Sequence, residues 1–319
     1  MHMTDRTMPP EADRVIISIN PKAGAGPSAR RADQLAELLQ GRGFTSDVLT
    51  NLDEVAGRAN RWHSEGLLRA LVGVGGDGTA AELVNRTEPG VPVTLCPAGT
   101  ENLLARYLGL TADPEELARV VATGAILRLD AGRANGRVFL LMASCGFDAD
   151  VVRRVDQQRT GHITHLTWMR PIFQSIRRYE YPDIRVYWDE ADGDRVDGDR
   201  VDGDRQSTVS WMFACNLPCY GGGFRVAPDA DGTDGLLDAC TFRRGSWWRA
   251  PWYAAAVKLG RHRQLADFAA RRVKRLRVES QAEVPYQLDG DPGGVLPLDI
   301  EVLPDRLTLI VPKTEGSDG

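Results

Sequence analysis

An α/β domain built on a mostly parallel sheet, followed by a β-rich domain, is the architecture this sequence predicts. Three observations carry it. Apolar strand-like runs alternate with amphipathic stretches from Arg14 to residue 126, three of those runs end in glycine-bearing loops, and from Leu127 the texture changes to shorter strands and turns. With 319 residues the chain is long enough for two cores, read as residues 14–126 and 127–312, with a disordered lead over 1–13 and a disordered tail over 313–319.

Arg14 to Asn20 reads as a buried first strand, closed by Pro21. Asn20-Pro-Lys-Ala-Gly-Ala-Gly26 is a glycine-rich loop, and Ser28 to Gly43 has helical spacing, with Gly41 or Gly43 as its stop. Lys22 has two readings: a solvated loop lysine, or an ammonium that reaches nucleotide phosphates from a strand end. Phe44 to Thr50 supplies a second strand, and Asn51 or Asp53 caps the helix that follows. The third strand ends in Gly75-Gly76-Asp77-Gly78-Thr79, ahead of a helical stretch through Asn85. Glycines let the main chain approach a ligand closely, and the N–H groups of a helix start attract negative charge, so this junction can hold a phosphate. Asp77 would repel that phosphate unless a divalent cation joined them, which points to a nucleotide–Mg2+ site. The spacing is neither that of a P-loop nor that of the dinucleotide fingerprint. The fourth strand leads into Ala98-Gly-Thr-Glu-Asn102 and another helix; Thr100 and Asn102 are helix-start polar residues, read as caps or as part of a third ligand loop on the same sheet edge. A further helix starts within Thr111 to Glu115.

Beyond residue 127 the strands shorten. Two helical stretches follow Val151, and Trp168, Met169, Ile172, Phe173 and Ile176 recur at helical intervals, as a core face or as one lining an acyl cavity or touching a bilayer. A DGDRV repeat makes residues 190–206 a polar solvated loop, whose spacing is wrong for a calcium loop. Asp229, Asp231, Asp234 and Asp238 fall in a Pro/Gly-rich turn, either an Asx-rich connection or a cation clamp. Arg243, Arg244, Trp247, Trp248 and Trp252 combine cations with amphipathic rings, which suits packing or contact with anionic lipid. Asp289 and Asp291, separated by Gly290, read as a tight turn or as a base with its carboxylate partner.

Composition narrows the function classes. The chain is 42% hydrophobic and 26% charged, an ordinary globular balance, and its formal net charge of -5 offers no general reason to expect nucleic acid as a partner. Five cysteines without paired ligand spacing fit a reducing compartment and argue against a zinc site or a disulfide framework. No run approaches the roughly 20 apolar residues of a membrane span, and the first 13 residues lack the apolar core of a signal peptide. The expected place of action is the cytoplasm, with transient contact at a membrane surface.

The ordered set of motifs resembles the diacylglycerol kinase catalytic family, in its bacterial soluble lipid-kinase branch, which is also similar to sphingosine kinases. The resemblance is carried by NPKAGAG at 20–26, GGDGTAAELVN at 75–85, PAGTENLLAR at 97–106, the GFDA stretch before Val151, PDADGTDGLLD at 228–238 and LDGD at 288–291. GGDGT alone is shared with NAD kinases. The resemblance implies an α/β nucleotide domain of the NAD kinase/diacylglycerol kinase fold, a β-sandwich domain after it, and an active site in the cleft between them. It places Asn20, Lys22, Gly75, Gly76, Asp77, Gly78, Thr79, Thr100 and Asn102 on the nucleotide side, with ATP and Mg2+ as cofactors and Asp77 beside the ion. Asp289 matches the acidic residue that activates the lipid hydroxyl, with Asp291 as its partner, and Asp229, Asp231 and Asp234 match a turn where some members hold a structural magnesium. Two departures stand out: Asp291 replaces the usual glutamate, shortening its reach, and Leu103 follows Asn102 where many members have a second polar residue.

The activity so implied is transfer of the γ-phosphoryl group of ATP to diacylglycerol or a related long-chain alcohol taken from a membrane surface. A sphingoid-base or ceramide kinase, an NAD kinase and an inactive lipid-binding protein are the alternatives, and a homodimer is left open.

Overall fold

A computed structural model describes residues 11–19, 26–158, 165–188 and 206–313. Asn20 and Lys22, most of the expected lead and tail, and the DGDRV repeat lie outside these residues. The chain divides into two units: unit 1 runs to Leu129 and resumes at Asp305, and unit 2 is Asp130–Pro304.

Unit 1 is built from β1 (Arg14–Ile19), α1 (Pro27–Gly41), β2 (Thr45–Leu49), α2 (Leu52–Ser64), β3 (Leu68–Gly75), α3 (Asp77–Arg86), β4 (Pro92–Pro97), α4 (Leu103–Tyr107) and α5 (Pro114–Thr123). The strands pair in the order β2-β1-β3-β4, all parallel. Helical crossovers cover such a sheet, which is why β1 and β3 are near-continuous apolar runs rather than alternating ones. The helix starts follow local chemistry. Asn51 Oδ1 accepts the N–H groups of Asp53 (2.9 Å) and Glu54 (3.1 Å), and Asp113 accepts from Glu115 ahead of Pro114 in the first turn of α5. Ala12 is buried and the Asp13 carbonyl accepts from Thr45 N (2.9 Å), so the ordered unit begins before Arg14, within the lead expected from sequence.

Unit 2 comprises β5 (Ala125–Ala134), which enters from unit 1, then β6 (Arg137–Phe139), β7 (Met142–Cys145), α6 (Phe147–Gln157), α7 (His165–Arg178), β8 (Ile184–Trp188), β9 (Gln206–Val209), β10 (Trp211–Cys215), β11 (Leu237–Phe242), α8 (Arg249–Lys258), β12 (Phe268–Val273), β13 (Arg275–Ser280), β14 (Pro285–Leu288), β15 (Asp291–Val295) and the first part of β16 (Leu298–Val311). One antiparallel sheet has the order β12-β11-β10-β7-β14-β15. The other runs from β16 through β13 and β8 to β9. Buried residues of the first sheet (Ala143, Met212, Tyr286) and of the second (Val186, Val278, Ile300) share one apolar cluster, while Arg185, Arg275 and Arg277 point the other way. The expected β-sandwich is therefore present; β8 and β13 alternate between buried and more exposed residues, whereas β7 and β14 are buried throughout.

A second cluster joins Phe147, Val151 and Val155 of α6 to Ala250 of α8, with Trp168, Ile172 and Ile176 of α7 packed against it. Met169 and Phe173, which share their helical pattern in the sequence, are exposed, so the inward face of α7 is narrower than that pattern suggests.

The last strand serves both units. Its Leu298–Glu301 stretch pairs with β13 in unit 2, whereas Thr308 and Leu309 pair in parallel with Pro92 and Val93 of β4 in unit 1. Arg306 fastens this end by donating to the carbonyls of Val84 (2.6 Å) and Thr87 (2.7 Å) at the end of α3. The linear division at residue 312 missed this return of the chain to unit 1.

Candidate active site

In unit 1, parallel pairing of β3 with β4 sets Gly75 opposite Pro97 and brings the two following loops side by side. Ala98 N donates to the Gly75 carbonyl (2.9 Å). At Gly76 and Gly99 the main chains touch: a Cβ on Gly99 would lie 2.7 Å from the Gly76 Cα and 2.9 Å from Asn102 Oδ1. A side chain on Gly75 would collide with Thr79 Oγ1 at 2.1 Å, and Thr79 is buried against that spot. The result is bare main chain at the carboxyl ends of two parallel strands, the edge where open α/β sheets bind ligands.

Asp77 locks the pair of loops. Its Oδ2 accepts the N–H of Leu103 and its Oδ1 that of Leu104, both at 2.9 Å, so the carboxylate of one loop caps the short helix that leaves the other. Asn102 stands at the N-cap position of α4 but makes no side-chain cap; in the left-handed region (φ 50), it closes on Gly99, accepting from the N–H and donating to the carbonyl, both at 2.8 Å. The cap expected of Asn102 is thus supplied by Asp77, and Asn102 instead shapes the loop. Thr100 is exposed at the loop tip.

In unit 2, Leu288-Asp289-Gly290-Asp291 is the two-residue turn of the β14–β15 hairpin. Asp289 (φ 52) and Gly290 (φ 88) both have positive φ, and Leu288 pairs with Asp291. Asp-Gly is favoured in such a turn because its backbone twist matches that of the strands. The tight turn read from the sequence is present, and it leaves the reading of Asp289 as a base open. The Asp289 carboxylate accepts three successive main-chain N–H groups, from Leu140 (2.7 Å), Leu141 (2.8 Å) and Met142 (3.0 Å), and its own N–H donates to the Met142 carbonyl (3.0 Å). Asn216 braces this segment from behind, donating to the Leu140 carbonyl (2.8 Å). Asp291 faces Arg137 at 3.8 Å.

Sequence reasoning missed the buried network behind the turn. Gly290 N donates to Gln287 Oε1 (2.7 Å), Gln287 Nε2 donates to Ser144 Oγ (2.7 Å), and Ser144 bonds the Asp148 carboxylate, which also accepts from Trp211 Nε1 (2.6 Å). Burial pushes the Asp148 carboxyl above the ordinary range, against the opposing hydrogen bonds from Ser144 and Trp211. Asp148 sits in the GFDA stretch, the one signal that marked the place.

The acidic turn behaves differently. Asp229 pairs with Arg263 and Asp234 with Arg272, while Asp231 Oδ1 accepts from Thr233 N (3.1 Å) and its hydroxyl (2.7 Å), and Asp234 Oδ1 from Leu236 N (2.9 Å). The buried Asp130 anchors the turn by accepting from Gly235 N (2.7 Å). These are Asx turns and ion pairs, and among the described residues no three acidic, histidine or cysteine side chains are grouped so as to hold a metal ion.

Family comparison matches the halves separately. Residues 14–134 match the diacylglycerol kinase catalytic domain, and residues 142–311 match the YegS C-terminal NAD kinase beta sandwich-like domain. The chain belongs to the diacylglycerol kinase catalytic and YegS family. Relatives in this family include the diacylglycerol kinase of Mycobacterium tuberculosis (strain CDC 1551 / Oshkosh), 28% identical over 315 residues that cover 95% of this chain and 96% of that protein. The diacylglycerol kinase of Bacillus subtilis (strain 168) is 24% identical, covering 95% and 98%. Among solved structures, a diacylglycerol kinase from Bacillus anthracis str. Sterne shares the fold with a TM-score of 0.68 at 21% identity, covering 94% of this chain and 97% of that one. An NAD kinase from Archaeoglobus fulgidus in complex with ATP reaches a TM-score of 0.50 at 16% identity, covering 95% and 94%. Membership of the diacylglycerol kinase catalytic and YegS family supports a kinase that draws on a nucleotide donor.

Proposed function

We propose that the chain is an ATP-dependent lipid kinase that transfers the γ-phosphoryl group to the hydroxyl of diacylglycerol or a related long-chain lipid alcohol. What carries the reading is Asp289, a carboxylate fixed by three main-chain N–H groups on a rigid hairpin, in a chain whose other unit presents glycine loops locked by Asp77. The bare main chain of the two loops, packed at Gly76 and Gly99 too closely for side chains, suits the close approach of nucleotide phosphates, with Gly75, Gly78, Thr79, Thr100 and Asn102 around them and Asn20 and Lys22 in the preceding loop. Asp77, half-buried at this edge, is the carboxylate that a Mg2+ carried by the phosphates would meet. Such an ion supplies charge neutralisation on the transferring phosphoryl group.

In the proposed reaction Asp289 accepts the hydroxyl proton of the lipid as the oxygen forms its bond to phosphorus, the bond from phosphorus to the bridging oxygen of ADP breaks, and ADP leaves. Three N–H groups on one carboxylate fix its direction, which is the positioning that in-line transfer needs. Asp291, beside Arg137, supports the turn. No helix among the described residues is long and apolar enough to cross a membrane, and the reading has the enzyme work from the cytoplasm on lipid held in a bilayer.

Asp289→Asn is the informative variant, because its amide oxygen can still accept the N–H groups of Leu141 and Met142 while the side chain loses basicity; the Leu140 bond alone is given up, since the NH2 that replaces Oδ2 cannot accept. With labelled ATP, Mg2+ and separate samples of diacylglycerol, ceramide, sphingosine and NAD, the wild type should phosphorylate diacylglycerol or another lipid alcohol. Asp289→Asn should turn over at least about a hundredfold more slowly with ATP affinity unchanged. Full turnover by the variant would remove Asp289 from the role of base, and transfer to NAD alone would overturn the lipid reading.

A further inference from the structure

The outward face of α8 is apolar where a surface helix is ordinarily polar. Ala250, Tyr253, Ala256 and Val257 turn inward and are buried. On the opposite side Trp248, Trp252, Ala255 and Leu259 follow one another at steps of four, three and four residues, which lines them along one face. Trp247, Trp248, Trp252 and Leu259 are 68%, 51%, 56% and 70% exposed; half of the large exposed apolar side chains among the described residues thus fall within this short stretch, which is a patch and not scatter.

Charge says what covers it. From Arg243 to Arg263 the chain carries Arg243, Arg244, Arg249, Lys258, Arg261 and Arg263 and no acidic residue, in a protein of net charge -5. Arg249 is committed to Asp267 and Trp248, Lys258 to the Gly222 carbonyl, and Arg263 to Asp229. Arg243, Arg244 and Arg261 are exposed at the two ends of the apolar stripe, with no ion-pair partner among the described residues. A second copy of the chain would set this patch against itself, arginine facing arginine, in a two-fold contact. Rings and aliphatic groups flanked by free cations match the apolar boundary and phosphate layer of an anionic bilayer.

We propose that the outward face of α8 and the loop before it form a docking surface for an anionic lipid bilayer. Trp248, Trp252 and Leu259 enter the boundary between headgroups and acyl chains, while Arg243, Arg244 and Arg261 bind lipid phosphates. The proposal rests on the lipid-kinase reading and names where that enzyme meets its membrane.

The test uses the full chain with vesicles of phosphatidylcholine alone or of phosphatidylcholine and phosphatidylglycerol in equal parts. The wild type should sediment with the anionic vesicles, show blue-shifted tryptophan emission there, and be released by salt. Trp248→Ala/Trp252→Ala should lower the partition constant more than about tenfold; Arg243→Ser/Arg244→Ser should lower it roughly fivefold per arginine and flatten its salt dependence. Both variants should keep turnover on a short-chain diacylglycerol dissolved as monomer and lose it on vesicle-held substrate. Equal binding of wild type to both vesicle types, wild-type binding by both variants, or a fall in sedimentation-equilibrium mass on removing the tryptophans, which would make the stripe a contact between copies, each overturns the proposal. Anionic vesicle binding without lipid turnover would instead leave the surface standing and remove the kinase reading.

Discussion

Gly99 has backbone angles open to alanine but no room for one, since the added carbon would press on the main chain of Gly76, which cannot rotate away. Gly99→Ala should therefore spread the two loops, lowering affinity for ATP roughly tenfold while costing about 1–3 kcal/mol of stability; titration calorimetry with ATP checks it, and unchanged affinity would show that the cradle tolerates spreading. That these glycines matter was legible only from the company they keep, an aspartate in their midst and two further loops on the same sheet edge, because glycine turns between a strand and a helix are common in α/β domains. The work of Asp77 was not, since its partners are main-chain N–H groups 26 and 27 positions away and any residue type supplies those. Asp289 illustrates the same blindness: Asp-Gly announced the turn, but its three donors lie 147 to 149 residues earlier and leave no mark in side-chain pattern. Asn102 was legible as a helix-start residue, and only the structure shows its side chain spent on Gly99.

Among the elements, α2 and α5 follow from amphipathic spacing and caps, and the sandwich strands from short apolar runs between turns, because those signals are local. The acidic turn before β11 was ambiguous for the opposite reason, as ion pairs to Arg263 and Arg272 come from later segments. Asp238 of β11, across from Arg272, bears the consequence. Burial raises its pKa to about 6, Arg272 opposing and the Asp234 and Asp229 charges adding to the rise. Its proton is thus held more tightly in the fold than in the unfolded chain, so its contribution is fullest below about pH 4 and is lost as pH rises to about 6. Asp238→Asn, which cannot ionise, should gain about 1–3 kcal/mol relative to wild type between those limits and hold that gain at pH 7. Urea midpoints for both proteins across pH 4 to 7 measure it; a difference independent of pH would mean that Asp238 does not titrate in this window.

For the molecule as a whole, the α/β and β-rich halves were legible because sheet type governs hydrophobic texture, whereas the path of β16 was not: its return to β4 is made by main-chain pairing and by Arg306. Ending the chain before Asp305 should uncover the β4 edge. Amide exchange should then accelerate in β3, β4 and α3 by a hundredfold or more, with the β7–β10–β11 sheet of unit 2 little changed; uniform acceleration through both units would show that they unfold as one. The same strand imposes an order on biosynthesis. Unit 1 contributes residues both before and after unit 2, and the 175 residues of Asp130–Pro304 between them take on the order of 10–35 s to translate at about 5–20 residues per second. Through that interval the nascent sheet presents β4 as an open edge able to pair with another chain, so crowded polysomes put this protein at greatest risk of aggregation before its own C-terminal strand arrives to close the gap.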